Sequence, residues 1–245
     1  MNARRAAGEE PRLARVAALV ADASRSRMLC HLLGGELASA GELAHAAGVG
    51  AATASAHLQR LLDSGLLACE PRGRHRYYRL ADADVAHALE ALALVAERGT
   101  HERQWSGPAR LRLRAARCCY GHLAGRLGVA LLTQAVAHDW LEPGSGLRYR
   151  VTPAGARQLS ALGLDGEHWR RRSAVDDAAA VAYGCLDWSE RRDHLAGALA
   201  RALREHFEAS GWVRRRAGER AVQVTPAGRH ALRPWLGDEA LLQPA

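Results

Sequence analysis

Residues 41–80, GELAHAAGVGAATASAHLQRLLDSGLLACEPRGRHRYYRL, constrain the fold more than any other stretch of this chain. Gly41 to Gly48 suits a short helix, with Leu43 and Ala47 one turn apart on the same side. Gly48 follows the last good helix former, where a left-handed residue commonly ends a helix, and Val49-Gly50 completes a turn. From Ala51 to Ser64 the apolar residues Ala54, Leu58, Leu61 and Leu62 recur at spacings of three and four, so this second helix carries one core-facing stripe. Gly65 stops it. Leu66 to Glu70 then reads as a strand, Pro71-Arg72-Gly73-Arg74 as a turn with Gly73 free to take positive φ, and His75 to Leu80 as the returning strand.

Helix, turn, helix and hairpin in that order predict a winged helix-turn-helix, which lays its second helix in the major groove of duplex DNA and its hairpin along the backbone. The outward face of the second helix carries Ala52, Thr53, Ala56, Gln59, Arg60 and Asp63, with Ser55 and His57 on its flanks. The alanines let the backbone approach a groove floor. Thr53, Ser55, His57, Gln59 and Arg60 then supply donors and acceptors for base edges and phosphates, while Asp63 sits at the helix end away from DNA. Arg72, Arg74 and Arg76 crowd the hairpin tip, where they would neutralise phosphates. Helix-turn-helix units also occur in proteins that never touch DNA, and arginine runs are commonly solvated surface, so spacing alone leaves that reading open.

Four linked motifs sharpen it. Ala21-Asp22-Ala23-Ser24-Arg25-Ser26-Arg27-Met28-Leu29, then Glu42-Leu43-Ala44, then Thr53-Ala54-Ser55-Ala56-His57-Leu58 with Gly65-Leu66-Leu67, and finally Gly73 to Leu80 together resemble the ArsR/SmtB family of bacterial repressors over roughly residues 10–100. The resemblance implies a homodimer paired through the first and last helices of that domain. It also implies repression relieved by an effector, which in this family is a metal, a metalloid, thiol oxidation or another small signal. The metal-sensing patterns of the family are not matched. Residues 37–44, Leu37 to Ala44, lack the cysteine cluster of the arsenic- and cadmium-type members, and Asp84, His87, Glu97 and His101 depart from the spacing of the zinc-type members.

The chain has 245 residues, room for one large domain or two of ordinary size, and 48% of them are hydrophobic, enough for real cores. A formal net charge of +8 suits a polyanion, but every basic residue is arginine and the chain is rich in alanine, glycine and leucine. That pattern points to a bias of the source genome, so the placement of arginine on the wing says more than the total. Five cysteines without a regular framework argue against a secreted disulfide scaffold. Met1 to Arg15 lacks the apolar run of a signal peptide, and no apolar run approaches a membrane span. The expectation is a cytoplasmic, nucleoid-associated protein with no membrane partner. Cys30, among Met28, Leu29, Leu32 and Leu33, reads as a small core residue, and the face of Cys69 on the wing strand is open.

Asp84 to Arg98 reads as an amphipathic helix with Val85, Ala88, Leu89, Leu92 and Val95 as its apolar stripe. Residues 1–103 are therefore assigned to a DNA-binding and dimerisation domain, and Gln104-Trp105-Ser106-Gly107-Pro108 to the boundary. Residues 109–245 form a second module with an internal repeat, about 109–166 and 180–237. His122-Leu123-Ala124-Gly125 recurs as His194-Leu195-Ala196-Gly197, and Val151-Thr152-Pro153-Ala154-Gly155 as Val224-Thr225-Pro226-Ala227-Gly228. Each copy reads as a degenerate winged unit of helix, hairpin and helix, with Thr152 or Thr225 as N-cap and proline at the first helical position. The whole chain is thus expected to be mainly α with small β-hairpin wings, an α+β protein.

The second module is where an effector would act. Cys118-Cys119 is a vicinal pair, and on a helix either residue would share a face with His122. The repeat would bring Cys185 toward one of them. Cys118, Cys119, His122 and Cys185 are therefore the candidate effector or redox residues, able to bind a soft metal or metalloid ion through thiolates or to form a disulfide. Arg117, Arg191 and Arg192 nearby would favour a thiolate. Buried cysteine is also a common apolar filler. A small organic ligand held by Tyr120, Trp169 and Trp188 stays open, as does a tail that docks a protein partner or extends the dimer. No phosphate loop, nucleophile elbow or paired metal motif points to an enzyme, and the remaining enzyme reading is thiol chemistry at Cys118-Cys119.

Overall fold

The computed structural model describes residues 13–98, 107–164, 166, 181–215 and 218–241, and these are mainly helical with short antiparallel strand pairs. Contacts divide the chain into two compact units, one built from residues up to 32 with 37–81, the other from 33–36 with 82 onward. The division falls before the helix that follows the wing rather than at 104–108, because that helix is tied by buried ion pairs to the second unit. Residues 104–106 of the expected boundary lie outside the described residues. No helix among the described residues is long and apolar enough to cross a membrane.

The first unit runs α1 (Leu13–Val20), α2 (Ala23–Leu32), β1 (Ala38–Ser39), α3 (Ala40–Ala47), α4 (Ala51–Asp63), β2 (Leu67–Arg72) and β3 (His75–Leu80). A capping box starts α3: Ser39 Oγ accepts from the Glu42 amide while the Glu42 carboxylate accepts from the Ser39 amide. Gly48, left-handed at φ 69°, ends it. Ala54, Leu58 and Leu61 of α4 are buried with Met28, Leu29, Leu43, Leu67, Tyr78 and Leu80, and Leu62 is half-buried. The hairpin pairs from Leu67↔Leu80 to Arg72↔His75, so β2 runs two residues further than its turn chemistry suggests and the turn shrinks to Gly73-Arg74, with Gly73 at φ 61°. Pro71 is accommodated because the sheet order β1-β3-β2 leaves β2 at an edge. The two-residue β1, pairing Ala38 with Tyr78, was too short to be seen in the sequence.

Arg25 is buried and fastens α1 to the helix-turn-helix. Its guanidinium donates to the Leu19 and Ala18 carbonyls at 2.8 and 3.0 Å and reaches His57 Nδ1 at 3.2 Å. Cys30, expected in the core, is exposed. Arg25, Met28, Leu29 and Leu32 fill the inward face of α2, and position 30 points the other way.

The second unit begins with α5 (Ala83–Ala96) and α6 (Pro108–Ala115) and then repeats one pattern, hairpin, helix, hairpin, helix. The first copy is β4 (Arg117–Cys119), β5 (His122–Ala124), α7 (Gly125–Ala137), β6 (Leu141–Pro143), β7 (Tyr149–Val151) and α8 (Pro153–Ala161). The second is β8 (Tyr183–Leu186), β9 (Asp193–Ala196), α9 (Ala198–Ala209), β10 (Val213–Arg215), β11 (Val222–Val224) and α10 (Pro226–Leu241), the last broken at Gly237. The expected helix, wing and helix of each copy are present, and each is preceded by a short hairpin, β4–β5 or β8–β9.

The copies exchange contacts reciprocally. β5 lies beside β9, α7 packs on β9 and α9 on β5. Arg117 bridges to Ala221 beside the second copy's wing strand, and Tyr183 bridges to Arg148 beside the first copy's. Leu127, Leu131, Leu199, Leu203, Phe207 and Val224 form one continuous core across both copies. The recurring Val-Thr-Pro-Ala-Gly has a physical reason in each. Thr152 and Thr225 accept from the amides of Gly155 and Gly228 at 2.9 and 3.0 Å, capping α8 and α10. Those glycines lie against a tryptophan carbonyl: a Cβ would meet Trp140 O at 2.1 Å and Trp212 O at 1.9 Å.

On α5 the buried face is Ala86, Leu89 and Glu90, whereas Leu92 and Val95 of the expected stripe are 49% and 51% exposed. Leu89 of the expected stripe thus joins the core, while Leu92 and Val95 lie outside it.

Because the Trp212 carbonyl belongs to the backbone and cannot rotate away, Gly228→Ala is expected to destabilise the protein by about 1–3 kcal/mol, as overpacking of a close contact does. A lowered midpoint in chemical denaturation, with the secondary structure of the folded state retained, is the readout.

Candidate nucleic-acid interface and buried Cys–His cluster

The first unit presents one polar, basic surface. Thr53, Ser55, Gln59 and Arg60 are exposed along α4, with Ala52 and Ala56 between them. Arg72, Arg74 and Arg76 are exposed at the hairpin tip. Arg72 pairs with Glu70 at 3.3 Å and lies over the Tyr77 ring, and Arg76 donates to Cys69 Sγ at 3.3 Å and lies over Tyr78, so the wing arginines are oriented by their own hairpin. Gln59 is held by Asp63 at 2.7 Å. His57 differs from the rest: it is half-buried, with Nδ1 on Arg25 and Nε2 4.0 Å from Asp22, and its first task is to brace α2 against α4.

In the second unit Cys119, His122, Cys185 and His194 converge, and one ligand atom from each lies within 4.8 Å of all the others. Strand pairing builds the cluster. Cys119 faces His122 across β4–β5, and Cys185 faces His194 across β8–β9, one such pair from each copy. Contact between β5 and β9 brings the pairs together, with His122 Nε2 3.0 Å from His194 Nε2. All four side chains are buried.

A polar network surrounds His194. Asp187, fully buried, places Oδ2 3.2 Å from His194 Nδ1 and 3.0 Å from the Arg117 guanidinium, and accepts from the Gly125 amide at 2.7 Å. Its Oδ1 accepts from the Ser189 hydroxyl at 2.7 Å and from the Ser189 and Glu190 amides. Arg117, itself fully buried, lies over the Trp188 ring and 3.9 Å from Glu90 of α5, which also accepts from Arg220 at 2.6 Å.

Burial acts to raise the Asp187 pKa, but His194 and Arg117 hold it well below the usual carboxylate range. Burial pushes His122 down to about 4. It acts on His194 too, but the Asp187 carboxylate 3.2 Å from Nδ1 and the neighbouring Cys185 carry that ring up to about 9. Cys185 beside it and burial raise Cys119, while Cys119, His122 and His194 lower Cys185 against the effect of burial.

Of the candidate effector residues, Cys119, His122 and Cys185 come together. Cys118 does not. On a strand its side chain points opposite to that of Cys119, into the apolar core beside Leu123, and burial raises its pKa. Residues 118–122 are a hairpin turning at Tyr120-Gly121, both with positive φ, so the shared face that a helix would give Cys118 or Cys119 with His122 does not apply. His194 is the member that the sequence reading left out of the set. The repeated His-Leu-Ala-Gly was the signal, since it makes His194 the counterpart of His122. Tyr120 and Trp188 are each covered by an arginine, Arg201 and Arg117. Trp169 and His101 lie outside the described residues, and His87 contacts the Tyr183 hydroxyl at 3.1 Å.

Removing the Asp187 charge strands a buried guanidinium, so Asp187→Asn is expected to cost about 3 kcal/mol or more of stability, measured by chemical denaturation. Asp63→Asn, on the surface of α4, serves as the near-neutral control.

A family model described as a helix-turn-helix domain matches residues 20–70. The chain is 39% identical over 230 residues to the HTH-type transcriptional regulator YdfF of Bacillus subtilis (strain 168), a match covering 92% of this chain and 97% of that protein. It is 38% identical over 85 residues to the HTH-type transcriptional regulator Rv0324 of Mycobacterium tuberculosis, covering 35% of this chain and 37% of that one. Among solved structures, the homodimeric winged helix-turn-helix DNA-binding domain of Mb0332 from Mycobacterium bovis is 29% identical with a TM-score of 0.36, covering 42% of this chain and 92% of that domain. The cadmium metal-sensor CMTR of Mycobacterium tuberculosis is 37% identical with a TM-score of 0.29, covering 32% and 81%. The likeness to YdfF runs through both units, and the chain belongs with it to the HTH-type transcriptional regulators, its first unit a winged helix-turn-helix and its second an extended C-terminal region.

Proposed function

We propose that this regulator is a homodimeric, cytoplasmic repressor that binds operator DNA through α4 and the β2–β3 wing and is released by an effector acting on the Cys–His cluster of the second unit. The observation that carries the DNA-binding part is the exposed surface of Thr53, Ser55, Gln59 and Arg60 on α4 together with Arg72, Arg74 and Arg76 at the wing tip. It combines groove-reading donors with phosphate-neutralising charge.

Dimerisation is supported by two apolar faces that the protomer leaves uncovered. Leu13 and Val16 of α1 are 72% and 40% exposed, and Leu92 and Val95 line the outer face of α5. These are the helices through which ArsR-type proteins are expected to pair. The cluster is favoured as the control point because it gathers buried thiol and imidazole groups, and because its partner network reaches Glu90 on α5.

Fluorescence anisotropy with DNA from upstream of the protein's own gene tests the first part. Arg74→Ala is expected to weaken binding and to reduce the slope of log affinity against log salt by about one, the signature of one lost phosphate contact. An unchanged affinity and slope would remove the wing from the interface. Leu92→Glu, which places charge in the exposed stripe, is expected to shift the protein from dimer to monomer in sedimentation velocity. A wild-type monomer at micromolar concentration would overturn the dimer.

A further inference from the structure

We infer that Cys119, His122, Cys185 and His194 bind one zinc-class divalent ion in a closed tetrahedral site of two sulfurs and two nitrogens, and that its loading is the signal for release of DNA. The second clause rests on the repressor function proposed above; the site stands on its own geometry.

That geometry fits a small tetrahedral ion. Zinc lies about 2.1 Å from imidazole nitrogen and about 2.3 Å from thiolate sulfur, which sets two nitrogens about 3.4 Å apart and two sulfurs about 3.8 Å apart. Here the two Nε2 atoms are 3.0 Å apart and the four ligand atoms fall within 4.8 Å of one another. The backbone is arranged to keep them there. Each cysteine is the cross-strand partner of its histidine, and a Cβ on Gly128 would meet the Leu123 carbonyl at 2.3 Å and His194 Cβ at 3.2 Å, so glycine at 128 lets α7 settle against both β5 and β9.

The surroundings match a metal-bound histidine. A ligating imidazole commonly turns its other nitrogen to a carboxylate, which fixes the ring and its tautomer. His194 turns Nδ1 toward Asp187, and that carboxylate is locked by Arg117, Ser189 and the Gly125 amide. Four protein ligands with no open position make a closed site rather than a catalytic one. Two competing chemistries fit less well. A redox sensor needs an accessible thiol, and Cys119 and Cys185 are 1% and 7% exposed. Trivalent arsenic favours three sulfurs, and the third nearby cysteine, Cys118, faces away into the apolar core.

Signal transfer has a physical path. His194 Nδ1 lies 3.2 Å from Asp187, so an ion that fixes the ring through Nε2 also fixes this contact. Asp187 pairs with Arg117 at 3.0 Å, and Arg117 lies 3.9 Å from Glu90 on α5, next to the exposed stripe proposed to pair the protomers.

The test uses the full-length protein, reduced and stripped with a chelator, titrated with cobalt(II). One equivalent is expected to produce the intense visible bands of a tetrahedral ion and a thiolate charge-transfer band, both displaced by zinc. Cys119→Ser and Cys185→Ser are expected to lose them, and Cys118→Ser to keep them. A wild-type protein that binds no cobalt, or only with weak octahedral bands, would overturn the site whatever the variants do. Bands lost in Cys118→Ser and kept in Cys119→Ser would overturn the ligand set. Operator affinity measured in parallel is expected to fall by about tenfold on zinc loading. Equal affinity with the tetrahedral ion bound would overturn the signalling clause and leave the site. No DNA binding in either form would instead overturn the repressor function.

Discussion

Asp187 keeps a full negative charge where water does not reach it, and much of the second unit is organised around compensating that charge. Its two oxygens meet an arginine, a histidine, a hydroxyl and three backbone amides. Such an arrangement is costly to assemble and more costly to break, because each partner removed leaves a buried charge unanswered. It also spans both copies of the repeat: Asp187 follows β8, while Gly125 and Arg117 flank the first hairpin. The copies are therefore held in one register by a polar contact whose geometry is specific, and the surrounding leucines fill space around it without dictating that register.

Within that frame the repeat persists only where physics demands it. Between the copies most residues differ, yet Thr-Pro-Ala-Gly is kept because threonine caps a helix and glycine passes beneath a tryptophan carbonyl. His-Leu-Ala-Gly is kept because the histidines face each other and the glycines adopt positive φ, 75° at Gly125 and 96° at Gly197. The wing of the first unit obeys a similar economy. Gly73 takes the one conformation that closes a two-residue turn, and the arginines around it need only reach solvent.

These differences explain what could be read from the residues. The helix-turn-helix was legible because α3 and α4 bury apolar residues at helical spacing and end at glycines. The repeat and its helix caps were legible from Thr-Pro and glycine. Arg-Cys-Cys and His-Leu-Ala were not legible as strands, since three residues carry no periodicity and their strand character comes from pairing and from turns at Tyr120-Gly121 and Arg191. Strand pairing alone separates Cys118 from Cys119, and contact between the copies alone brings His194 to the cluster. Cys30 and the Leu92–Val95 stripe show the same limit on the scale of a face: an apolar pattern says which side is greasy, and only packing says what covers it.

Each copy supplies one cysteine and one histidine to the cluster, and each copy's helix packs on the other's hairpin. A chain with a single copy would leave that hairpin bare unless it met a second molecule of itself. Two such molecules, related by a twofold axis through the cluster, would assemble the same two sulfurs and two nitrogens at that axis. Within one chain the two sides of this near-symmetric contact are free to differ. Asp187, present beside one histidine with Tyr120-Gly121 in the corresponding turn of the other copy, is such a difference.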